Sequence, residues 1–329
     1  MIIKQILSRI GQMILVLFVL STITFILMKL SPGDPVNKLL HLDVANVSSE
    51  QIEQTKAQLG LNQPLLVQWW TWFSHILHLD FGTSIQTQEP VLSELIYFTP
   101  PTSVIAFGTL FITLVLSLTL GTLAAVYYRT WIDRVIRVVT SAFVSIPSFF
   151  LGMLFIYVFA QKLEILPAAG IDTLAGYIMP IIALSIGMSA YHIRLMRSTL
   201  IDLYRSREVK ASRARGMSES YILFKDIFKP ALIPVISIIG MSIGGLIGSS
   251  VVIENLFDIP GIGYFLVESI RSRDYPVVQG AVLMIGAFVV IGNTIADIII
   301  LFLDPTQRYQ HLKHKPLWKK KAERRVKQL

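Results

Sequence analysis

The side chains able to do chemistry are sparse in this 329-residue chain. His75 and His78 lie three residues apart, close enough to share one face of a helix, and His311 and His314 repeat that spacing. Imidazole suits transition metals, but two histidines are too few for a closed site, so interfacial or solvated histidines are expected. His192 stands alone. The absence of cysteine excludes disulfides, thiolate metal sites and cysteine nucleophiles. No glycine opens a phosphate loop ending in Gly-Lys-Ser or Gly-Lys-Thr, so any nucleotide hydrolysis the protein uses belongs to another polypeptide. Asp297 is the one acid well inside an apolar run. Such acids are functional candidates by default, although nearby Asp304 also allows a structural role close to an interface. No constellation of acids, bases and metal ligands converges at membrane depth, as an embedded enzyme would need.

The elements that carry these residues are set by hydropathy. The chain is 53% hydrophobic and 15% charged, against about 25% charged in ordinary soluble proteins, and its mean hydropathy is +0.62. A helix needs roughly 20 apolar residues to cross a hydrocarbon core about 30 Å thick. Six runs free of Asp, Glu, Lys and Arg qualify: 10–28, 102–128, 138–160, 173–193, 230–253 and 275–296. They lack the alternation of barrel strands, and lipid offers backbone amides no partners, so helices are expected. The first run follows Lys4 and Arg9 but is too long for a signal peptide and lacks a small-residue cleavage site, so it should remain as an anchor.

Charge orients the spans, because Lys and Arg in short loops stay preferentially on the cytoplasmic side. Residues 31–100 carry Lys38 and Lys56 against seven acids, whereas 194–229 carry nine basic residues against four acids. The turn 129–137 has three arginines against Asp133, and the tail after Asp304 has nine basic residues against Glu323. Both termini are therefore expected in the cytoplasm. The +8 net charge reflects this topology and not nucleic-acid binding. Lys319, Lys320, Lys321, Arg324 and Arg325 form either a solvated tail or a contact with an anionic leaflet. Three units follow: 1–100, the first span and an extracytoplasmic amphipathic segment; 101–305, a five-helix core with a cytoplasmic loop at 194–229; and 306–329, a basic tail.

Within 31–100, Ser48 or Ser49 can cap a helix to about Leu59, with Gly60 at its end and Pro64 beyond. From Leu65, Leu66, Trp69, Trp70, Phe73, Ile76 and Leu77 recur at helical spacing. That stripe suits headgroup depth or packing against the spans. In the fifth span Gly240, Gly244 and Gly248 recur every four residues, and Gly245 and Ser249 widen the small face. Close helix approach is the consequence, either as ordinary packing or as a gate or partner-subunit contact. The segment ENLFDIPGIGYFLVESIRSRDYPVVQG, Glu254 to Gly280, joins a turn-rich stretch to an amphipathic one directly between two spans.

The loop SREVKASRARGMSESYILFKDIFKPALIPV, Ser206 to Val235, begins helically, breaks at Gly216 and resumes with Ser218 as a cap. This helix-turn-helix elbow can push on a soluble partner or be pushed by one; a plain solvated loop is the other reading of its composition. The run Ala211, Ser212, Arg213, Ala214, Arg215, Gly216, followed by Leu232, Ile233, Pro234, resembles the Glu-Ala-Ala loop of permease subunits of binding-protein-dependent ABC importers. Lys210 stands where the broad consensus has an acid, as in the dipeptide, oligopeptide and nickel branch. The resemblance extends over nearly the whole chain, through 59–73, 79–85, 254–280 and 293–305, and is nearest to nickel import permeases of the staphylococcal type, with dipeptide permeases close behind.

That resemblance implies an all-α membrane protein with six transmembrane helices, both termini cytoplasmic and the type I ABC importer (MetI-like) permease fold, in a bacterial cell membrane. It implies a sister permease, two ATPase subunits that bind ATP and Mg, and an extracytoplasmic solute-binding protein. This chain would have no cofactor, no catalytic residue and no metal site of its own. Lys210, Ala211, Ser212, Arg213, Ala214, Arg215, Gly216, Ser218 and Glu219 would couple to an ATPase, with the short helix near 211–220 in its groove. Spans three to six would rock, with Pro147 as a place to bend. Glu254, Pro260, Gly261, Gly263, Asp274 and Pro276 would surround the exterior mouth, unless this is a purely structural re-entry turn. Nickel or a nickel chelate is the first expected substrate and short peptides the alternative. A secondary transporter or channel would instead favour paired intramembrane charges and broken-helix repeats, and neither is evident.

Overall fold

The computed structural model describes residues 2–30 and 62–303, together with Glu53, Gln54 and Ala57. Among these residues there is no β-strand, only an isolated bridge between Thr83 and Pro90. The helices are α1 (Ile2–Leu30), α2 (Leu65–Leu77), α3 (Val91–Val126), α4 (Trp131–Val144), α5 (Ser148–Phe155), α6 (Ile178–Tyr204), α7 (Arg207–Ala214), α8 (Phe228–Leu256), α9 (Ile262–Ser272) and α10 (Tyr275–Leu303). α5 runs on as a π-helix over Ile156–Lys162, and a second π-helix over Ile222–Ile227 leads into α8.

Among the described residues four helical stretches are long and apolar enough to cross a membrane: Val91–Val126, Leu174–Tyr204, Glu219–Leu256 and Tyr275–Ile300. The run expected as one span over 138–160 is divided. α4 and α5 meet at 97°, with Pro147 in extended conformation immediately before α5. Proline has no amide hydrogen to continue the ladder and disfavours helical geometry in the residue before it. In α1 the apolar stretch Ile10–Ile26 is shorter than the other spans. Several helices outrun their charge-free cores: α3 begins at Val91 with Pro100 and Pro101 inside it, and α6 continues through Arg194 and Arg197 to Tyr204. The expected loop at 194–229 therefore starts about three helical turns late.

Small side chains set the helix spacing. On α3, Thr109, Thr113, Ser117 and Gly121 are buried at helical intervals, against the Ser185 and Ser189 face of α6. A Cβ on Gly121 would stand 2.7 Å from Met196 Cβ. Lipid gives helices little hydrophobic reason to associate, so close backbone approach and dispersion hold such pairs together. On the other side of the bundle, α10 packs between α8 and α1.

α2 lies across α1. Trp69 and Phe73 stack with ring centroids 5.4 Å apart and both meet Phe18 edge-on, while Trp72 reaches Phe25 and its Nε1 donates to Gln279 Oε1 at 3.1 Å. Packing thus accounts for one face of the tryptophan stripe. Leu65, Leu66 and Trp70 on the other face are exposed. Of the expected helix after Ser48 or Ser49 only Glu53, Gln54 and Ala57 are described, and all three are helical; Gly60, His311, His314 and the basic tail lie outside the described residues.

Candidate functional site: an elbow and a buried clasp on one helix

α7 is a two-turn helix fixed by a side-chain cap at its start and by a glycine turn at its end. Ser206 caps its start, its hydroxyl accepting from the Val209 amide at 3.3 Å. At the other end Gly216 takes φ +80°. Its N–H donates to Arg213 O at 2.9 Å and that of Met217 to Ser212 O at 3.2 Å, the paired pattern that closes a helix through a left-handed residue. Among the described residues no atom would touch a Cβ on Gly216, so backbone conformation, not space, calls for glycine there. The helix ends at Ala214, earlier than the expected 211–220. Ser218 then caps a new turn at Glu219, accepting from the Tyr221 amide at 3.3 Å.

Two polar contacts brace this elbow. Arg213 donates Nε to Glu219 Oε1 at 2.6 Å and Nη2 to Oε2 at 3.0 Å; this hydrogen bonding holds the Arg213 guanidinium above its ordinary value. Ser212 Oγ donates to Asp226 Oδ2 at 2.6 Å and accepts from Arg215 Nη2 at 3.1 Å. Beneath them, Val209 is buried with Met196 and Leu200 of α6 and with Ile222, Ile227, Ala231 and Val235 leading into α8. Lys210, Ala211, Ala214 and Arg215 remain exposed. The elbow therefore presents a small-residue, basic face outward while its inner side is keyed to two long helices at once.

Roughly 40 Å further along α8, at 1.5 Å per residue, its last turn carries Glu254, which is fully buried. Oε1 accepts from Thr102 Oγ1 of α3 at 2.8 Å, and Oε2 accepts from the Tyr264 amide in the first turn of α9 at 3.0 Å. Thr102 Oγ1 also accepts from the Ile262 amide at 2.8 Å. The first amides of a helix have no partners of their own. Here a carboxylate and a hydroxyl from two other helices supply them. Gly261 and Gly263 make room for this clasp: a Cβ at either would run into Glu254, and at Gly263 also to 2.7 Å from Val251 Cα. Pro260 precedes it. Asp274 is also buried and accepts from Ser84 Oγ at 2.5 Å and from the Gln86 amide at 3.1 Å, tying the loop before α3 to the start of α10, where Pro276 lies in the first turn.

The expected glycine face divides. A Cβ on Gly240 would reach 2.5 Å from Ala296 Cβ and one on Gly244 would reach 3.4 Å from Val289, both on α10; among the described residues Gly245 and Gly248 meet nothing within 4 Å. Asp297 is half-buried on α10. His75 Nδ1 bonds Asp80 Oδ2 at 2.7 Å, and His78 Nδ1 bonds Ser74 O at 2.8 Å. His192 is buried, with Nδ1 on Met188 O at 2.8 Å. Among the described residues no three His, Asp or Glu side chains come together as a metal site.

Sequence reasoning did not single out Thr102, Ser84, Asp226 or the pairing of buried Asp133 with partly exposed Arg197. Each is a common residue whose partner lies on another element, and local pattern gives no sign of it.

Comparison with known proteins bears on this geometry. Residues 117–309 match the family described as binding-protein-dependent transport system inner membrane component, and residues 2–106 match its N-terminal membrane component family. A nickel import system permease protein of Staphylococcus aureus strain USA300 is 55% identical over 309 residues, 94% of this chain and 93% of the relative. The corresponding protein of the bovine strain RF122/ET3-1 is 54% identical over the same shares. In solved structures, a chain of the MetNI methionine ABC transporter in an inward-facing conformation aligns with TM-score 0.56 at 18% identity, over 64% of this chain and 96% of its own length. That likeness is one of fold.

Proposed function

The chain belongs to the binding-protein-dependent transport system inner membrane component family, as a multi-pass membrane protein, and from that premise we propose that it is one permease subunit of an importer for nickel or a nickel chelate. The 55% identity to staphylococcal nickel permeases over 94% of the chain carries the choice of cargo. The permease lines half of the pathway with a sister subunit. Two separate ATPases bind and hydrolyse ATP with Mg, and an extracytoplasmic binding protein delivers the cargo. With α1 and the bent α4–α5 pair counted as spans, six helices cross the membrane and both termini are cytoplasmic, in keeping with the charge distribution.

The elbow carries the coupling. Ala211 and Ala214 are small enough to enter a groove on an ATPase, and Lys210 and Arg215 flank them with charges. Because Val209 and Ser212 are buried against α6 and the root of α8, displacement of α7 moves both helices together. α8 transmits that displacement to Glu254, whose hydrogen bonds reach α3 through Thr102 and α9 through Tyr264. The outer mouth then changes shape as a unit. Cargo selection rests with the binding protein, since tight ligation in the pathway would slow release.

Uptake decides the reading. Cells retaining every partner gene, with and without this chain, are supplied with trace radiolabelled nickel and with a labelled dipeptide. Loss of nickel uptake alone is expected. Loss of dipeptide uptake alone would make the chain a peptide permease, and co-purification without any ATPase would point to a secondary transporter.

A further inference from the structure

Where α3 ends and α4 begins, three guanidinium groups gather on one tyrosine. Arg129, Arg197 and Arg205 lie 5.3, 5.4 and 5.7 Å from the centre of the Tyr128 ring, each within the reach of cation–π attraction. One buried acid serves the cluster. Asp133, 1% exposed, accepts from Arg197 Nε at 2.6 Å and Nη2 at 2.9 Å and lies 3.4 Å from Arg137 Nε. Among the described residues no carboxylate stands within ion-pair distance of Arg129 or Arg205; Asp202 and Glu208 are exposed nearby in sequence and pair with neither. Two exposed cations crowd a single ring without neutralisation.

Arg129 is also held in an unfavourable backbone conformation. Its φ is +65°, a region that favours Gly, Asn and Asp. Its amide donates to Asp133 Oδ2 at 3.1 Å, which fixes the turn. Such strain in a long-chain residue points to a use for its side chain. The surroundings are apolar: Val126 at the end of α3 and Trp131, Val135 and Val138 on α4 are all exposed. Cations at the end of a span beside an uncovered apolar wall match a molecule with an anionic head and hydrocarbon tails.

We propose that Tyr128, Arg129 and Arg205 bind the phosphate-bearing headgroup of an acidic phospholipid, its acyl chains lying along Trp131, Val135 and Val138. The site rests on the membrane placement of the chain and, for the inner leaflet, on the orientation proposed above; it does not depend on which cargo is carried.

The test uses the permease purified with its co-expressed partner subunits, in nanodiscs of phosphatidylcholine with or without phosphatidylglycerol, read by native mass spectrometry for retained lipid and by thermal unfolding. The wild type is expected to retain phosphatidylglycerol and to gain Tm from it. The double variant Arg129→Gly/Arg205→Gln should bind it roughly thirtyfold more weakly and lose that gain. Arg129→Gly removes the backbone strain, so misfolding would not mimic this result, and Arg134→Gln removes an exposed arginine that does not contact Tyr128. Equal loss from Arg134→Gln would reduce the site to diffuse charge and overturn the proposal. So would a Tm gain reproduced by inorganic phosphate in neutral nanodiscs, or loss of ATPase subunits in place of lipid from the double variant.

Discussion

Ser212 and Asp226, fourteen residues apart, are joined by a hydrogen bond of 2.6 Å from the Ser212 hydroxyl to Oδ2 of Asp226. It ties the elbow helix to the π-helical turn at the root of α8. Ser212→Ala should lower stability by about 1–2 kcal/mol, the scale of a hydrogen bond to a charged group that is not fully buried. The more telling readout is coupling. ATP turnover by the reconstituted complex should persist while nickel uptake per ATP falls severalfold, and an unchanged ratio would leave the contact a local brace.

Gly216 separates conformation from space. With φ +80° and nothing near its missing Cβ, Gly216→Asn should be tolerated best, Gly216→Ala should cost about 1 kcal/mol, and Gly216→Val should cost more. Uptake measured at equal membrane insertion should follow the same order. Equal activity in all three would show that the elbow does not require this turn.

Thr102 and Glu254 cap one helix jointly. Glu254→Ala strands two donors in a buried site and should destabilise by about 2–4 kcal/mol, and Thr102→Val by about 1–3 kcal/mol. Because they share α9, the double variant should lose clearly less than the two single losses added together. Thermal unfolding of the detergent-purified complex measures this cycle, and strict additivity would mean that each acts alone.

The four glycines of α8 should divide in two. Gly240→Leu and Gly244→Leu push against Ala296 and Val289 and should impair folding or assembly. Gly245→Ala and Gly248→Ala meet nothing among the described residues and should not lower Tm. Normal Tm with reduced uptake for the second pair would reveal a contact beyond this subunit; normal uptake would make those glycines spacers.

Asp80 gives the loop before α3 a dependence on acid. Hydrogen bonding from His75, then from the Gly82 amide, holds its carboxyl below the ordinary value. A depressed carboxylate contributes stability above its unfolded value of about 3.9 and loses it as pH falls through the lower folded value. Protection factors across 78–90, taken relative to intrinsic exchange at each pH, should therefore fall below about pH 4 in the wild type and much less so in Asp80→Asn, which should be looser only above that pH.

Particular residues show how far sequence carried. Gly216 and Ser218 were legible because caps and left-handed turns depend on the residue in place; the cap at Ser206 was not singled out. The break at Pro147 was legible as a possible bend, but its 97° angle was not, because it depends on what α4 and α5 pack against. Glu254 was singled out for its place between two spans, whereas Thr102 gave no signal, since a threonine after two prolines looks the same with or without a distant carboxylate.

By itself the sequence determined the class of protein: charge-free runs long enough for lipid, an uneven distribution of Lys and Arg, and an elbow closed by a glycine. These are local properties, because hydropathy, charge and backbone preference act over one or a few turns. Tertiary structure alone decided which polar groups meet: Ser212 with Asp226, Thr102 with Glu254, and three arginines on Tyr128. Such meetings depend on helix rotation and depth, set by many small packing contacts across the bundle, and a shift of one residue rotates a side chain by about 100°.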